Sequence, residues 1–509
     1  MWSSGTDFLQ LDPGTAPARG LTTWLTDGLR AAIMKGRLCA GTSLPPTRAL
    51  ASDLGISRGV VVEAYQRLKD EGLISGLTGA GTRVSAAARP AGSLAAAGPL
   101  AQTGPVAAAG PVAAAGPVAG ARSVAGGLGV PAPGVLPRPW RAAAKIDLSP
   151  GVPDLSGFPR AAWLRAERTV LAHAGTADLG YGDPRGSEWL RTELAGWLAR
   201  TRGLSVSPDE IIIVTGVAQA LTLLAQWLLR SGGASRGIAM EDPGSRGTRD
   251  LFAYWGLPPV PVAVDSQGLV VADLAATDVR AVVLTPAHQF PTGAVLAPER
   301  RRALLSWAAA RGGLVVEDDY DAEYRYDRSP VPALQASAPG LVIYAGSTSK
   351  TLAPGMRLGW LIPPRDMHAD LVAAKHAADL GSPALPQLVL AQLIASGALE
   401  QHIRLVRKRQ RSRRDALLTA LRSHLPEAQI EGIGAGLHLL VTFPSLAGAT
   451  DTDLAERVLQ AGVLVHPLSW HCQRDTTPGF VLGYAVHTPD QMHEAVQRIA
   501  KVIGPDMRT

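Results

Sequence analysis

The chain has 509 residues, a formal net charge of +6, 46% hydrophobic and 18% charged residues, and two cysteines far apart. That length exceeds one ordinary core, so two or more domains are expected. Cys39 and Cys472 offer no disulfide framework, and neither a secretory leader nor a run of ~20 apolar residues is seen, so a cytoplasmic protein without membrane contact is expected.

Much of the excess charge lies at the front, where residues 18–85 hold nine Lys or Arg against five Asp or Glu. Within them, TRALASDLGISRGVVVEAYQRLK (47–69) predicts a first helix over Thr47–Leu54 and a tight turn at Gly55. A second helix follows, capped by Ser57, with Val61, Ala64, Tyr65 and Leu68 on one face. This is a helix-turn-helix whose second helix would present its other early positions to the major groove. Next, GLISGLTGAGTRVS reads as a β-hairpin wing, in which Gly79 and Gly81 let backbone approach phosphates.

Residues 86–140 are mostly Ala, Gly, Pro and Val, with GPVAAA recurring through 104–118 and no acidic residue between Glu71 and Asp147. Lacking large apolar residues for a core, the stretch reads as a weakly basic tether with a reach of roughly 40 Å. From about 145, apolar runs at 211–216, 281–286, 314–320 and 341–346 predict buried strands, and 217–230, 298–311 and 386–420 predict helices. The alternation implies an α/β domain with a largely parallel sheet and a ligand at its strands' carboxyl ends, followed by a smaller α+β part over 430–505.

Three segments of this second domain carry chemistry. In GSTSKTLAPGMRLGW (346–360), Lys350 follows a strand and a serine-rich turn; Ser347 and Ser349 supply hydroxyls, and Arg357 a planar fork for a phosphate dianion. A lysine so placed can hold an aldehyde that its neighbours position. In VVEDDYDAEYRY, a strand delivers Asp318 and Tyr320, while Glu317, Asp319 and Asp321 are expected to be solvated or structural. At Gly216–Val217–Ala218, a strand-to-helix turn offers N–H groups and a helix dipole to a phosphate.

The front segment GRLCAGTSLPPTRALASDLGISRGVVVEAYQRLKDEG (36–72) resembles the GntR-type winged helix, and GSTSKTLAPGMRLGW resembles the Schiff-base signature of fold-type I aminotransferases. With YGDPRG (181–186), EDPGSRG (241–247) and TPAHQFPTG (285–293), the chain is identified as a member of the MocR/GabR regulators. The resemblance implies a winged helix-turn-helix (1–85), a flexible linker (86–140) and an aminotransferase-like body (141–509) that binds pyridoxal 5'-phosphate. It also implies a small-molecule effector (an amine, an amino acid or the cofactor itself), double-stranded operator DNA, and a homodimer with swapped heads. Arg48, Ser57, Arg58 and the wing at Gly81 would then contact DNA, with Arg58 suited to a bidentate guanine contact. Lys350 would be the catalytic and cofactor-holding amine; Asp318 would face the ring nitrogen and Tyr320 the ring oxygen. Ser347, Ser349, Arg357, Gly216, Val217 and Ala218 would surround the phosphate. No metal is expected.

Four positions depart from that pattern. Ser245 replaces the ring-stacking tyrosine, Val217 a hydroxyl of the phosphate turn, and Phe290 an asparagine, for which His288 or Gln289 would substitute. Val481 stands where an arginine grips an amino-acid carboxylate, with His466, His471 and Arg474 as possible substitutes. A sensor is therefore expected ahead of a working aminotransferase with an accessory head, or of a body reduced to a dimerisation scaffold.

Overall fold

The computed structural model describes residues 20–34, 38, 41–77, 81–85, 144–232, 237–326, 331–432, 434–446 and 448–504. The expected tether at 86–140 and Gly79 of the wing lie outside the described residues.

The head has three helices, Leu21–Met34, Thr47–Asp53 and Arg58–Asp70, and a small antiparallel sheet. Its strands β1 (Ser43–Leu44), β2 (Ile74–Leu77) and β3 (Gly81–Val84) lie in the order β1-β3-β2, so the wing forms as expected. The helix over Thr47–Asp53 is the second, not the first. Leu21–Met34 precedes it and inserts Leu25, Leu29 and Ile33, at helical spacing, against Leu50, Leu54, Val61, Tyr65 and Leu68. Val61, Ala64, Tyr65 and Leu68 are the buried face of the Arg58–Asp70 helix.

In the body, a short strand β4 (Ile146–Asp147) precedes the strands of the large sheet. These are β5 (Ile212–Val214), β6 (Ile238–Asp242), β7 (Pro259–Asp265), β8 (Gly268–Leu269), β9 (Ala281–Leu284), β10 (Leu314–Asp319), β11 (Val342–Ser347) and β12 (Gly359–Ile362). Their order is β5-β12-β11-β10-β9-β6-β7-β8. Six run the same way; β12 and β8 run against their neighbours. Helices Val217–Arg230 and Arg365–Asp379 pack their apolar sides against one face, with Leu221, Leu224 and Leu371 meeting Val283, Val316 and Ile343. Helix Pro298–Arg311 covers the other through Leu304 and Trp307. Because the strands are parallel and covered on both faces, the chain leaves β5, β9, β10 and β11 at one edge, where a ligand can sit.

The helix expected over 386–420 is two, Ala384–Ala395 and Ala398–His424, broken at Gly397, whose φ of 71° lies in the left-handed region. The smaller part contains β13 (Gln429–Glu431), β14 (His438–Thr442), β15 (Val463–Leu464), β16 (His466–Pro467) and β17 (Gly479–Gly483). An antiparallel sheet β13-β14-β17-β16 buries Leu439, Val441, Phe480 and Leu482 against Leu417, Leu421, Met492 and Val496 of the flanking helices. Strand β15 pairs in parallel with β4, so the beginning of the body is built into its C-terminal part.

Candidate functional site

At the carboxyl end of β5 the chain turns at Gly216 (φ 92°, ψ 169°), which caps helix Val217–Arg230. The conformation demands glycine, and so does the space: the Arg357 guanidinium lies 3.2 Å from where a Gly216 Cβ would sit. Gly359 closes on the same spot, since a Cβ there would lie 2.9 Å from Gly216 Cα. Arg357, itself left-handed at φ 50°, is thereby laid across the first turn of a helix whose Val217 and Ala218 N–H groups have no intrahelical acceptors. A guanidinium and a helix N-terminus converging on one point are a complete anion cradle.

Strand β11 ends in Ser347, and Lys350 follows in a turn held from several sides. The Ser349 N–H donates to Ser347 Oγ (3.3 Å), the Tyr324 hydroxyl to the Lys350 carbonyl (2.8 Å), and His402 Nε2 to the Thr351 carbonyl (2.8 Å). The Lys350 ammonium donates to the Gly151 carbonyl at 2.5 Å. Burial lowers its pKa, against the pull of Asp321 and Asp318. A lysine easier to deprotonate is a better nucleophile toward a carbonyl.

From β10, Asp318 leaves its Oδ1 buried without a hydrogen-bond partner. Burial, then Asp319 and Asp321, push its carboxyl up to about 7, with Lys350 opposing. An unsatisfied buried carboxylate is costly, which marks a place for a protonated group to dock. Tyr320 Oη lies 3.0 Å from His288 Nδ1, and the same nitrogen lies 3.0 Å from Asp321. The His288 ring is enclosed by glycines: a Cβ at Gly436 would overlap it, and one at Gly293 would lie 3.2 Å from Nε2. His438 lies beside it, its ring tilted by 45° with centroids 5.2 Å apart, and donates to the Pro291 carbonyl. Gln289 is committed locally, donating to the Pro243 and Phe290 carbonyls and accepting from the Thr292 N–H.

The other acids of that strand are structural, not solvated. Buried Asp319 accepts from Arg202 (2.6 Å) and from the Tyr344 hydroxyl, and Glu317 accepts from the Gln335 N–H (3.2 Å). The partners Gly151, Arg202, His402 and His438 lie far away in sequence, and only the fold brings them in.

Ser245 caps helix Arg246–Tyr254 by accepting from the Thr248 N–H (3.3 Å). With Met240, Glu241, Thr248, Phe290 and Asp318 it lines a small cavity beside the site. Behind Phe290, Val481, Leu440 and Leu468 form one buried apolar cluster, and the His438 and His471 rings meet Phe290 edge-on with centroids 5.0 Å away. Two of the three candidate substitutes for the missing arginine supply no cation there. Burial takes the His471 ring down to about 3, and Arg474 turns away to the Pro261 carbonyl, whereas His466 stands directly opposite Val481 in the sheet. Arg249, which the sequence did not single out, spends its guanidinium on the Cys472 and Trp470 carbonyls.

In the head, Arg48, Ser57 and Arg58 are all exposed, and Gly81 opens β3. Ser57 occupies the N-cap position of helix Arg58–Asp70, yet its side chain makes no capping bond.

Comparison with known proteins follows the same division. The family "Aminotransferase class I and II" matches residues 143–499, and "Bacterial regulatory proteins, gntR family" matches residues 22–84. The chain is 32% identical to the HTH-type pyridoxine biosynthesis transcriptional regulator PdxR of Corynebacterium glutamicum, over 95% of this chain and 96% of that one. It is 30% identical to the probable rhizopine catabolism regulatory protein MocR of Rhizobium meliloti, over 93% and 92%. Among solved structures, Pyrococcus horikoshii kynurenine aminotransferase superposes with a TM-score of 0.65 at 29% identity, covering 71% of this chain and 91% of that one.

Proposed function

The chain belongs to the MocR-type regulators, a gntR-family head joined to a class I and II aminotransferase body, and from that premise we propose that the body senses a B6 vitamer and sets the head's grip on its operator. That the protein is a DNA-binding transcriptional regulator and that its cofactor is pyridoxal phosphate follow from the family. No helix among the described residues is long and apolar enough to cross a membrane. We place the protein in the cytoplasm, with domain limits at 1–85, 86–140 and 141–509.

The residues fit the cofactor: an anion cradle, a lysine with a lowered pKa and an unsatisfied buried carboxyl stand at one sheet edge. When bound, pyridoxal phosphate supplies an aldehyde for a primary amine and an electron-withdrawing ring. Lys350 would hold it through its amine. Arg357, the Gly216–Ala218 turn and the Ser347 and Ser349 hydroxyls would hold the phosphate. Asp318 would keep the ring nitrogen protonated, and Tyr320, oriented by His288 and Asp321, would serve the ring oxygen.

The observation that carries the vitamer reading is the wall of Phe290, Val481, Leu440 and Leu468, which presents no guanidinium to a carboxylate. An α-amino acid there would lose its bidentate anchor, whereas the cofactor's own contacts remain. The pyridoxine-biosynthesis regulator named above supports the same effector. Operator binding by cofactor-free protein, titrated with pyridoxal phosphate, should change over the range in which the site fills. If the cofactor-loaded protein instead needs an amino acid before its operator affinity changes, the vitamer reading fails. Lys350 would also permit transamination; release of keto acid over many turnovers would favour that second reading.

We further propose a homodimer. The swapped heads that the likeness implies would set each head on the partner's body.

A further inference from the structure

We propose that Gln219, Asp379 and Lys375 form a brace behind the phosphate turn, and that this brace makes the site select a phosphorylated vitamer over its unphosphorylated form. The inference rests on pyridoxal phosphate as the ligand of the site, and it adds three positioning residues that act through the backbone of the turn.

The turn needs support. Its donors are the backbone N–H groups of Val217 and Ala218, and Val217 brings no hydroxyl to assist them. Gly216, at φ 92°, has the widest conformational freedom of any residue, so nothing of its own fixes where those N–H groups point. Two backbone bonds, from Gln219 N (3.1 Å) and Ala220 N (3.4 Å) to the Gly216 carbonyl, close the turn from within. The Gln219 side chain closes it from outside: its Oε1 accepts from the Thr215 N–H at 2.8 Å. That bond joins the residue before Gly216 to the third residue of helix Val217–Arg230. Both phosphate donors lie between its ends, so it fixes their direction.

Gln219 is itself held. Its Nε2 donates to Asp379 Oδ2 at 2.6 Å. A carboxylate only accepts and a backbone N–H only donates, so the amide fits between Asp379 and Thr215 one way round. Asp379 also accepts from the Gly381 N–H (2.9 Å), and both its oxygens accept from Lys375 Nζ (2.9 and 2.8 Å). Each member of this pair is unfavourable alone. Asp379 ends helix Arg365–Asp379, where a negative charge opposes the helix dipole, and Lys375 is fully buried. Burial raises the Asp379 carboxyl, yet the bonds from Lys375 and Gln219 hold it below its ordinary value, so it stays ionised. Together the two charges cancel toward the phosphate and give Gln219 a fixed acceptor. Helices Arg365–Asp379 and Val217–Arg230 pack together on one sheet face, so the brace is anchored outside the turn it steadies.

The test titrates cofactor-free full-length protein with pyridoxal phosphate and with pyridoxal, following the absorption of the bound ligand. Wild type is compared with Gln219→Leu and with the double variant Lys375→Met/Asp379→Leu. Both ligands offer Lys350 the same aldehyde and Asp318 the same ring nitrogen; only one carries a phosphate. Wild type should prefer pyridoxal phosphate. Gln219→Leu should weaken pyridoxal phosphate about 10-fold, the worth of one or two hydrogen bonds, and leave pyridoxal unchanged. The double variant removes both charges at once, so no lone ion stays buried, and it should lower the preference in the same way. Equal weakening of both ligands would show a merely structural role and overturn the brace, and so would an unchanged preference in either variant. Both results leave the cofactor reading standing. A wild type with no preference would overturn the phosphate cradle, and this inference with it.

Discussion

Replacing Asp318 with Asn separates what the site costs the fold from what it gives the cofactor. The Asp318 carboxyl is raised from 3.8 to about 7, chiefly by burial. A group whose pKa is raised on folding contributes stability below its unfolded pKa and loses it as pH climbs through the folded one. For Asp318 the loss runs from about pH 4 to about pH 7, and at 1.36 kcal/mol per pH unit it amounts to at most about 4 kcal/mol. The amide that replaces the carboxyl carries no charge to desolvate. Without cofactor, Asp318→Asn should therefore be more stable than wild type at pH 8 by up to about 4 kcal/mol, and nearly equal to it at pH 4. With cofactor the order reverses: a charge-assisted hydrogen bond of about 1.5–3 kcal/mol is lost, so pyridoxal phosphate should bind roughly 10- to 150-fold more weakly. Urea melts of cofactor-free protein at both pH values, with a cofactor titration at pH 8, measure both effects. A stability difference that is the same at both pH values, or a destabilised variant at pH 8, would refute the assignment of Asp318 as an unsatisfied acid awaiting a partner.

Three further outcomes follow from the same structure. Lys350→Ala should abolish the absorption band of covalently held cofactor without unfolding the body, because among the described residues the Lys350 side chain bonds only the Gly151 carbonyl, while Tyr324 and His402 bond backbone at Lys350 and Thr351. Arg58→Ala should weaken operator binding by about 1–3 kcal/mol and non-specific binding by much less, read by competition with random DNA; equal losses would demote Arg58 to a phosphate contact. Ser245→Tyr should tighten cofactor binding by about 1 kcal/mol through ring stacking. It should also cost about 1 kcal/mol of stability, because the cap on helix Arg246–Tyr254 is lost, so titration and melting should move in opposite senses.

The sequence made local chemistry legible and left distant pairing hidden. Lys350, Asp318, Gly216 and Arg357 were readable because each sits where a strand meets a turn, and the fold gathers strand ends at one edge. The four strands read from apolar runs all form, but β7 was missed because Pro259 and Pro261 argue against a strand. It tolerates them beside the two-residue β8 near the sheet edge. Strand β12 escaped because Gly359–Ile362 reads as the tail of the lysine segment, not as a strand inserted antiparallel between β5 and β11. Helix Leu21–Met34 is legible only through its Leu25, Leu29 and Ile33 at helical spacing, since it carries no acidic first turn or basic last turn to mark its ends. Nothing local announces that His288 will meet His438, or that Val481 will close against Phe290, since those contacts span some 150 and 190 residues and depend on how the two parts of the body pack.

The central claim is that a cofactor held at Lys350 controls a DNA-binding head some 280 residues upstream in the chain. Its most direct test is operator affinity in wild type and Lys350→Ala, each with and without pyridoxal phosphate. Wild type should change its affinity with the cofactor, and Lys350→Ala should stay at the cofactor-free value. Equal responses in the two proteins, or none in either, would contradict it.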